Sequence, residues 1–138
     1  MGVTLRTSDD KSELDLTYRG FFVLRMNVSK ICNSKFSEYY LTLETAFGMK
    51  DSRLNQLAYE AMQTMVDKKE VDSSLAAFCM QSDAGGKITA EDCKSIYDRI
   101  VCCDNTRNYG YGEHFVGFSD FKELLEKCIT TGCDLVWC

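Results

Sequence analysis

The sequence predicts an α+β fold: about six helices packed on a small, mostly antiparallel sheet formed by the N-terminal hairpin and the C-terminal strand. Three observations carry this expectation. Alternating patterns lie near both chain ends, at Val3, Leu5 and Thr7, at Leu14, Leu16 and Tyr18, and at Leu135 and Trp137. Between them the apolar spacing changes to three and four, the period of an amphipathic helix. Proline is absent, so glycine and short polar clusters must punctuate the chain.

The first two alternating runs are separated by Ser8-Asp9-Asp10-Lys11-Ser12, a turn-forming cluster that makes them a hairpin. Arg19-Gly20 breaks the alternation, and helical spacing starts at Phe21 with Leu24, Val28 and Ile31 or Cys32 on one side. Asn33-Ser34 ends that helix and caps the next, because their short side chains accept orphan backbone N–H bonds. The second stripe is Phe36, Tyr40, Leu43 and Phe47, stopped by Gly48. Asp51 or Ser52 caps a third helix carrying Leu54, Leu57, Ala58, Ala61, Met62 and Met65, with Lys68-Lys69 at its negative pole.

Asp72-Ser73 opens a short helix with Leu75, Phe78 and Cys79, ended by Asp83-Ala84-Gly85-Gly86. Thr89 and Asp92 have the spacing of a capping box and open a helix through Val101. Asp104 to Gly117 reads as a long glycine- and aromatic-rich loop, and Ser119 begins a last amphipathic helix closed by Gly132.

The chain of 138 residues, 45% hydrophobic and 27% charged, is expected to form a single compact domain over 1–138 with a real core. Its formal net charge of −5 and scattered basic residues argue against a dedicated nucleic-acid surface, and no duplex nucleic acid is expected as a partner. No stretch approaches the roughly 18 to 20 apolar residues that span a bilayer. The start, Met1-Gly2-Val3-Thr4-Leu5-Arg6, has no positive region followed by an apolar run, so no secretory signal and no membrane are expected, and the cytoplasm is the expected compartment. The eight cysteines include no C-x-x-C pair, and His114 is the only histidine. Reduced thiols, mostly in the core, are therefore expected rather than disulfides or a zinc site.

Gln81 to Asp92 has the length of a calcium loop, with Gly86 and Ile88 at its turn and hydrophobic positions. Gln81 and Gly85 stand where ligands belong, and only Asp83 and Asp92 supply carboxylates, so a capped helix–turn–helix corner is expected instead. No Walker loop, G-x-S-x-G elbow or H-E-x-x-H pair occurs, so no catalytic residues, cofactor or metal are assigned.

Two segments suit ligand binding. At Tyr18-Arg19-Gly20-Phe21-Phe22 a strand enters a helix through glycine, offering backbone N–H groups beside Arg19 and Arg25 as an anion seat. The loop Asn105 to His114 offers Arg107 with the faces of Tyr109 and Tyr111, which suits stacking on a base. The candidate ligand-binding set is Arg19, Gly20, Phe21, Arg25, Arg107, Tyr109 and Tyr111.

Met1-Gly2-Val3-Thr4-Leu5-Arg6-Thr7-Ser8, the segment Tyr18 to Arg25, Ser82-Asp83 to Ile88, Cys93-Lys94-Ser95-Ile96-Tyr97-Asp98 and the final Trp137 together resemble an uncharacterised family of small proteins encoded by Gram-positive bacteria and their phages. The resemblance runs through nearly the whole chain in short motifs and transfers no active site. What it implies is a small accessory protein that counters host defence, by sequestering a signalling nucleotide or by binding a defence protein. The leading expectation is thus a non-catalytic binder of a small anionic ligand such as a nucleotide. A protein–protein module or inhibitor acting on a host protein is the alternative, and a thiol-dependent enzyme is the third reading. The oligomeric state is left open.

Overall fold

The computed structural model describes residues 2–105 and 117–138. The chain runs β1 (Gly2–Thr7), β2 (Glu13–Thr17), α1 (Tyr18–Cys32), α2 (Ser34–Gly48), α3 (Ser52–Asp67), α4 (Ser73–Met80), β3 (Gly86–Ile88), α5 (Ala90–Ile100), α6 (Phe118–Thr131) and β4 (Leu135–Trp137). The expected α+β architecture is present: among the described residues there are six helices and one antiparallel sheet of order β2-β1-β4-β3. The two chain ends meet in its centre, where Leu5 is opposite both Leu14 and Trp137.

Alternation places Val3, Leu5, Leu16, Ile88, Leu135 and Trp137 on the buried side of the sheet. α1 lies in the interior, packed against α2, α4, α5 and the hairpin. A helix buried on most sides reads as more than a stripe. Even Asn27 and Ser29 are buried, their side chains returning hydrogen bonds to Val23 O and Met26 O.

Three local expectations are corrected. Helix α1 begins at Tyr18 rather than Phe21, because Thr17 is its N-cap and its Oγ1 accepts from Gly20 N at 2.9 Å. Gly20 therefore sits inside the first turn and breaks nothing. Second, the Gln81–Asp92 corner contains a strand, β3, paired with β4. Third, Leu54 and Leu57 are exposed, while Ala58, Met62 and Met65 are buried. α3 packs chiefly on α2, so it buries a narrower stripe than its sequence offers. Phe47, placed in the α2 stripe, is also exposed.

The capping box of α5 forms as expected, with Thr89 Oγ1 accepting from Asp92 N at 3.1 Å and Asp92 Oδ2 accepting from Thr89 N at 3.0 Å. Gly132, at φ 71°, closes α6. All eight cysteines are free thiols: Cys79, Cys93 and Cys128 are buried, Cys32, Cys103 and Cys133 half-buried, and Cys102 and Cys138 exposed.

Candidate functional site

Two helical stripes face each other across a cavity. On α1, Tyr18, Phe21, Phe22 and Arg25 recur at three and four, and on α2 so do Tyr40, Leu43, Glu44 and Phe47. The packing of α1 on α2 brings the stripes together. Tyr59 of α3 and residues 79–83, from the end of α4 into the following loop, complete the lining of a cavity of about 380 Å³. That volume falls at the small end of the roughly 300–1,000 Å³ usual for small-ligand sites.

Arg25 is the cation of this cavity and is only 4% exposed. Its guanidinium lies over Phe21 at 4.2 Å from the ring centre, with Trp137 at 5.5 Å and Phe78 at 5.7 Å. Nη2 donates to Gln81 O at 2.9 Å. Among the described residues Arg25 forms no ion pair. Its Nε is buried with no hydrogen-bond partner. Three aromatic faces offset part of the desolvation cost at about 0.5–2 kcal/mol each, but an unsatisfied buried donor costs about 1–3 kcal/mol. A purely architectural role at this position is served as well by an apolar side chain.

The loop that receives Arg25 is held from two sides. Trp137 Nε1 donates to Ser82 O at 2.9 Å. The Gln81 side chain donates to Ala77 O and Lys87 O and accepts from Lys87 N, closing the corner. Asp92 is committed to the cap and to Ser74 Oγ, and no cluster of three metal-ligating side chains occurs among the described residues.

Glu44 stands at the open mouth of the cavity. The protein around it desolvates its carboxyl and raises its pKa above the usual 4.5, against the pull of Arg25 and with a push from the charge of Asp83. Tyr40 lies deeper; burial drives its phenol up against the opposing charge of Arg25. Phe22 and Tyr40 stack at 5.8 Å with 28° between their planes and form one wall. Tyr18, Phe47 and Tyr59 are exposed at the mouth, at 46%, 75% and 46%.

Of the residues expected from sequence, Phe21 and Arg25 line this cavity. Arg19 is exposed on the first turn of α1 with its guanidinium 5.8 Å from the Phe22 ring centre, beside the cavity without lining it. Gly20 packs against Thr17 and Leu16, and its N–H is committed to Thr17. Arg107, Tyr109 and Tyr111 lie outside the described residues, as does His114. Tyr18 and Phe22, from the same expected segment as Phe21, line the cavity too, whereas sequence reasoning missed Glu44, Phe47, Tyr59, Gln81 and Asp83. The available signal was the pair of stripes, since Tyr18, Phe22 and Arg25 share one helical face and Tyr40, Glu44 and Phe47 another.

No family model, no curated protein and no solved structure matches this chain.

Proposed function

We propose that the chain is a non-catalytic binder that captures a small ligand of the nucleotide class in the cavity between α1 and α2. Its proposed setting is the sequestration of a signalling nucleotide by an accessory protein, the role implied by the resemblance to phage-encoded proteins. The observation that supports binding is Arg25, a buried guanidinium in a cavity wall with one donor left unmatched. Exposed aromatic rings at the mouth supply stacking surface beside it.

Thermal unfolding against a panel of mononucleotides and cyclic dinucleotides tests the reading. Ligand at a hundred times its dissociation constant adds about 2.7 kcal/mol of stability. Arg25→Met should remove that gain. No shift with any nucleotide, or a shift unchanged in Arg25→Met, refutes the proposal.

One observation favours the alternative of a protein-binding module. Phe47 and Met49, 75% and 70% exposed, lie together at the α2–α3 turn, and Leu57 is 52% exposed on α3. Capture of a host protein lost on Phe47→Ser and Met49→Ser, but kept in Arg25→Met, would favour that reading.

A further inference from the structure

Resting on the nucleotide-binding reading, we propose that this cavity takes its ligand base first: a purine ring enters, its acceptor edge meets the Arg25 guanidinium, its donor edge meets Glu44, and the phosphate stays outside.

The charges of the cavity argue for this orientation. Among the described lining residues Arg25 is the only cation, against Glu44 and Asp83, so a phosphate driven inward would meet more negative than positive charge from them. Three backbone amides in the segments flanking the cavity, of the kind that cradle phosphates elsewhere, are already used. Gly20 N–H is bonded to Thr17 Oγ1, Ala84 N–H to Ser82 Oγ and Lys87 N–H to Gln81 Oε1.

What the cavity does offer suits a flat heteroaromatic ring. Arg25 lines the wall with a guanidinium whose Nε–H lacks an acceptor, and a guanidinium edge matches a ring nitrogen or carbonyl. Glu44 stands at the mouth as an acceptor, its acidity set by desolvation and neighbouring charges with no hydrogen bond contributing. The stacked Phe22–Tyr40 wall and the exposed rings of Tyr18, Phe47 and Tyr59 provide the faces. A guanine carries adjacent donors for a carboxylate and acceptors for an arginine, so it satisfies both groups at once.

Carboxylate recognition also fixes a pH signature. The titratable groups that line the cavity with Glu44 are Tyr18 and Arg25 from α1, Tyr40 from α2, Tyr59 from α3, Cys79 from α4 and Asp83 from the loop after it, and Arg25 and Asp83 act on its charge. Protonating Glu44 removes an acceptor, so guanosine affinity should fall as pH drops through its raised pKa. An anion in the same place would bind better under that change, because a negative neighbour is lost.

Isothermal titration with guanosine, adenosine, ribose 5-phosphate and sulfate, at pH 8 and pH 5, separates these cases. Guanosine, which is neutral, should bind within a few-fold of its monophosphate, while ribose 5-phosphate and sulfate should not bind. Glu44→Gln should weaken guanosine by about tenfold and flatten its pH dependence. This variant alters an exposed side chain, so folding should survive. Binding of ribose 5-phosphate or sulfate without guanosine would overturn the base-first orientation and leave the anion-binding reading standing. Equal guanosine affinity in wild type and Glu44→Gln would also overturn it. Absence of binding by all the nucleotides as well as these four probes would remove both.

Discussion

Arg25 Nη2 donates to Gln81 O at 2.9 Å, tying the buried middle of α1 to the corner between α4 and β3. Gln81 in turn closes that corner through Lys87. The same arginine therefore anchors a loop and lines the cavity, with its buried Nε left without a partner. Replacing it by Met removes one charge-assisted hydrogen bond and three ring contacts, but also removes a desolvated charge and an unmatched donor. These contributions oppose one another, so Arg25→Met should change unfolding free energy by less than about 2 kcal/mol. The proposed nucleotide binding should be abolished. A loss of about 3–5 kcal/mol in denaturant titration would instead mark a structural arginine.

Glu44 gives a pH prediction whose sign follows from its raised pKa. The folded state holds the proton more tightly than the unfolded state, whose carboxyl titrates near 4.5. Stability from this group is thus greatest at low pH and is lost as pH rises from the unfolded value through the folded one. Glu44→Gln lacks that loss. Its melting temperature should match wild type near pH 4 and exceed it at pH 8; the reverse order would contradict the assigned direction.

Much of this fold was legible because its signals are local. The hairpin follows from alternation at Val3, Leu5, Leu14 and Leu16, and the start of α5 from Thr89 with Asp92. The start of α1 was obscured because Thr17 belongs both to an alternating strand and to a cap. β3 is only three residues long, too short to show a period, and exists because β4 lies beside it. The cavity was half legible: Phe21 and Arg25 stood out beside a glycine, while Tyr40 and Glu44 read as one more amphipathic helix. What makes them a site is the packing of α1 on α2, a tertiary relationship that neither stripe encodes alone.

Gly86 is required by Trp137. A Cβ at residue 86 would lie 2.6 Å from indole Cε2 and 2.9 Å from Nε1. Gly86→Ala must push the ring aside, and overpacking of this kind costs about 1–3 kcal/mol. The same displacement strains the Nε1 bond to Ser82 O and loosens the loop that accepts from Arg25. Trp137 is the only tryptophan and is 2% exposed, so its fluorescence reports the change directly. The emission should shift to the red, and the proposed nucleotide binding should weaken. An unchanged spectrum and stability would contradict the packing.

Lys69 adopts φ 56° just after α3, where Lys69 N donates to Val66 O at 3.1 Å and Glu70 N to Met65 O at 2.8 Å. This left-handed closure favours glycine over a residue with a Cβ. Lys69→Gly should stabilise the protein by about 0.5–1 kcal/mol. Lys68→Gly, at φ −86°, gains no such relief and should be neutral or destabilising. Equal effects at the two positions in chemical unfolding would contradict a conformational origin.

Thiol reactivity tests the third reading, catalysis by cysteine. Cys102 and Cys138 are exposed, whereas burial pushes the Cys79 thiol up to about 12 and that of Cys32 up to about 11. Cys93 is also raised, by its hydrogen bond with Cys128 and by burial. Reaction requires the thiolate and access to it, and these environments deny one or both. A chromogenic disulfide reagent at neutral pH should therefore modify Cys102 and Cys138 first, and all eight thiols only on unfolding. Peptide mapping identifies the sites. Preferential modification of Cys32 or Cys79 in the folded protein would restore the case for a catalytic thiol.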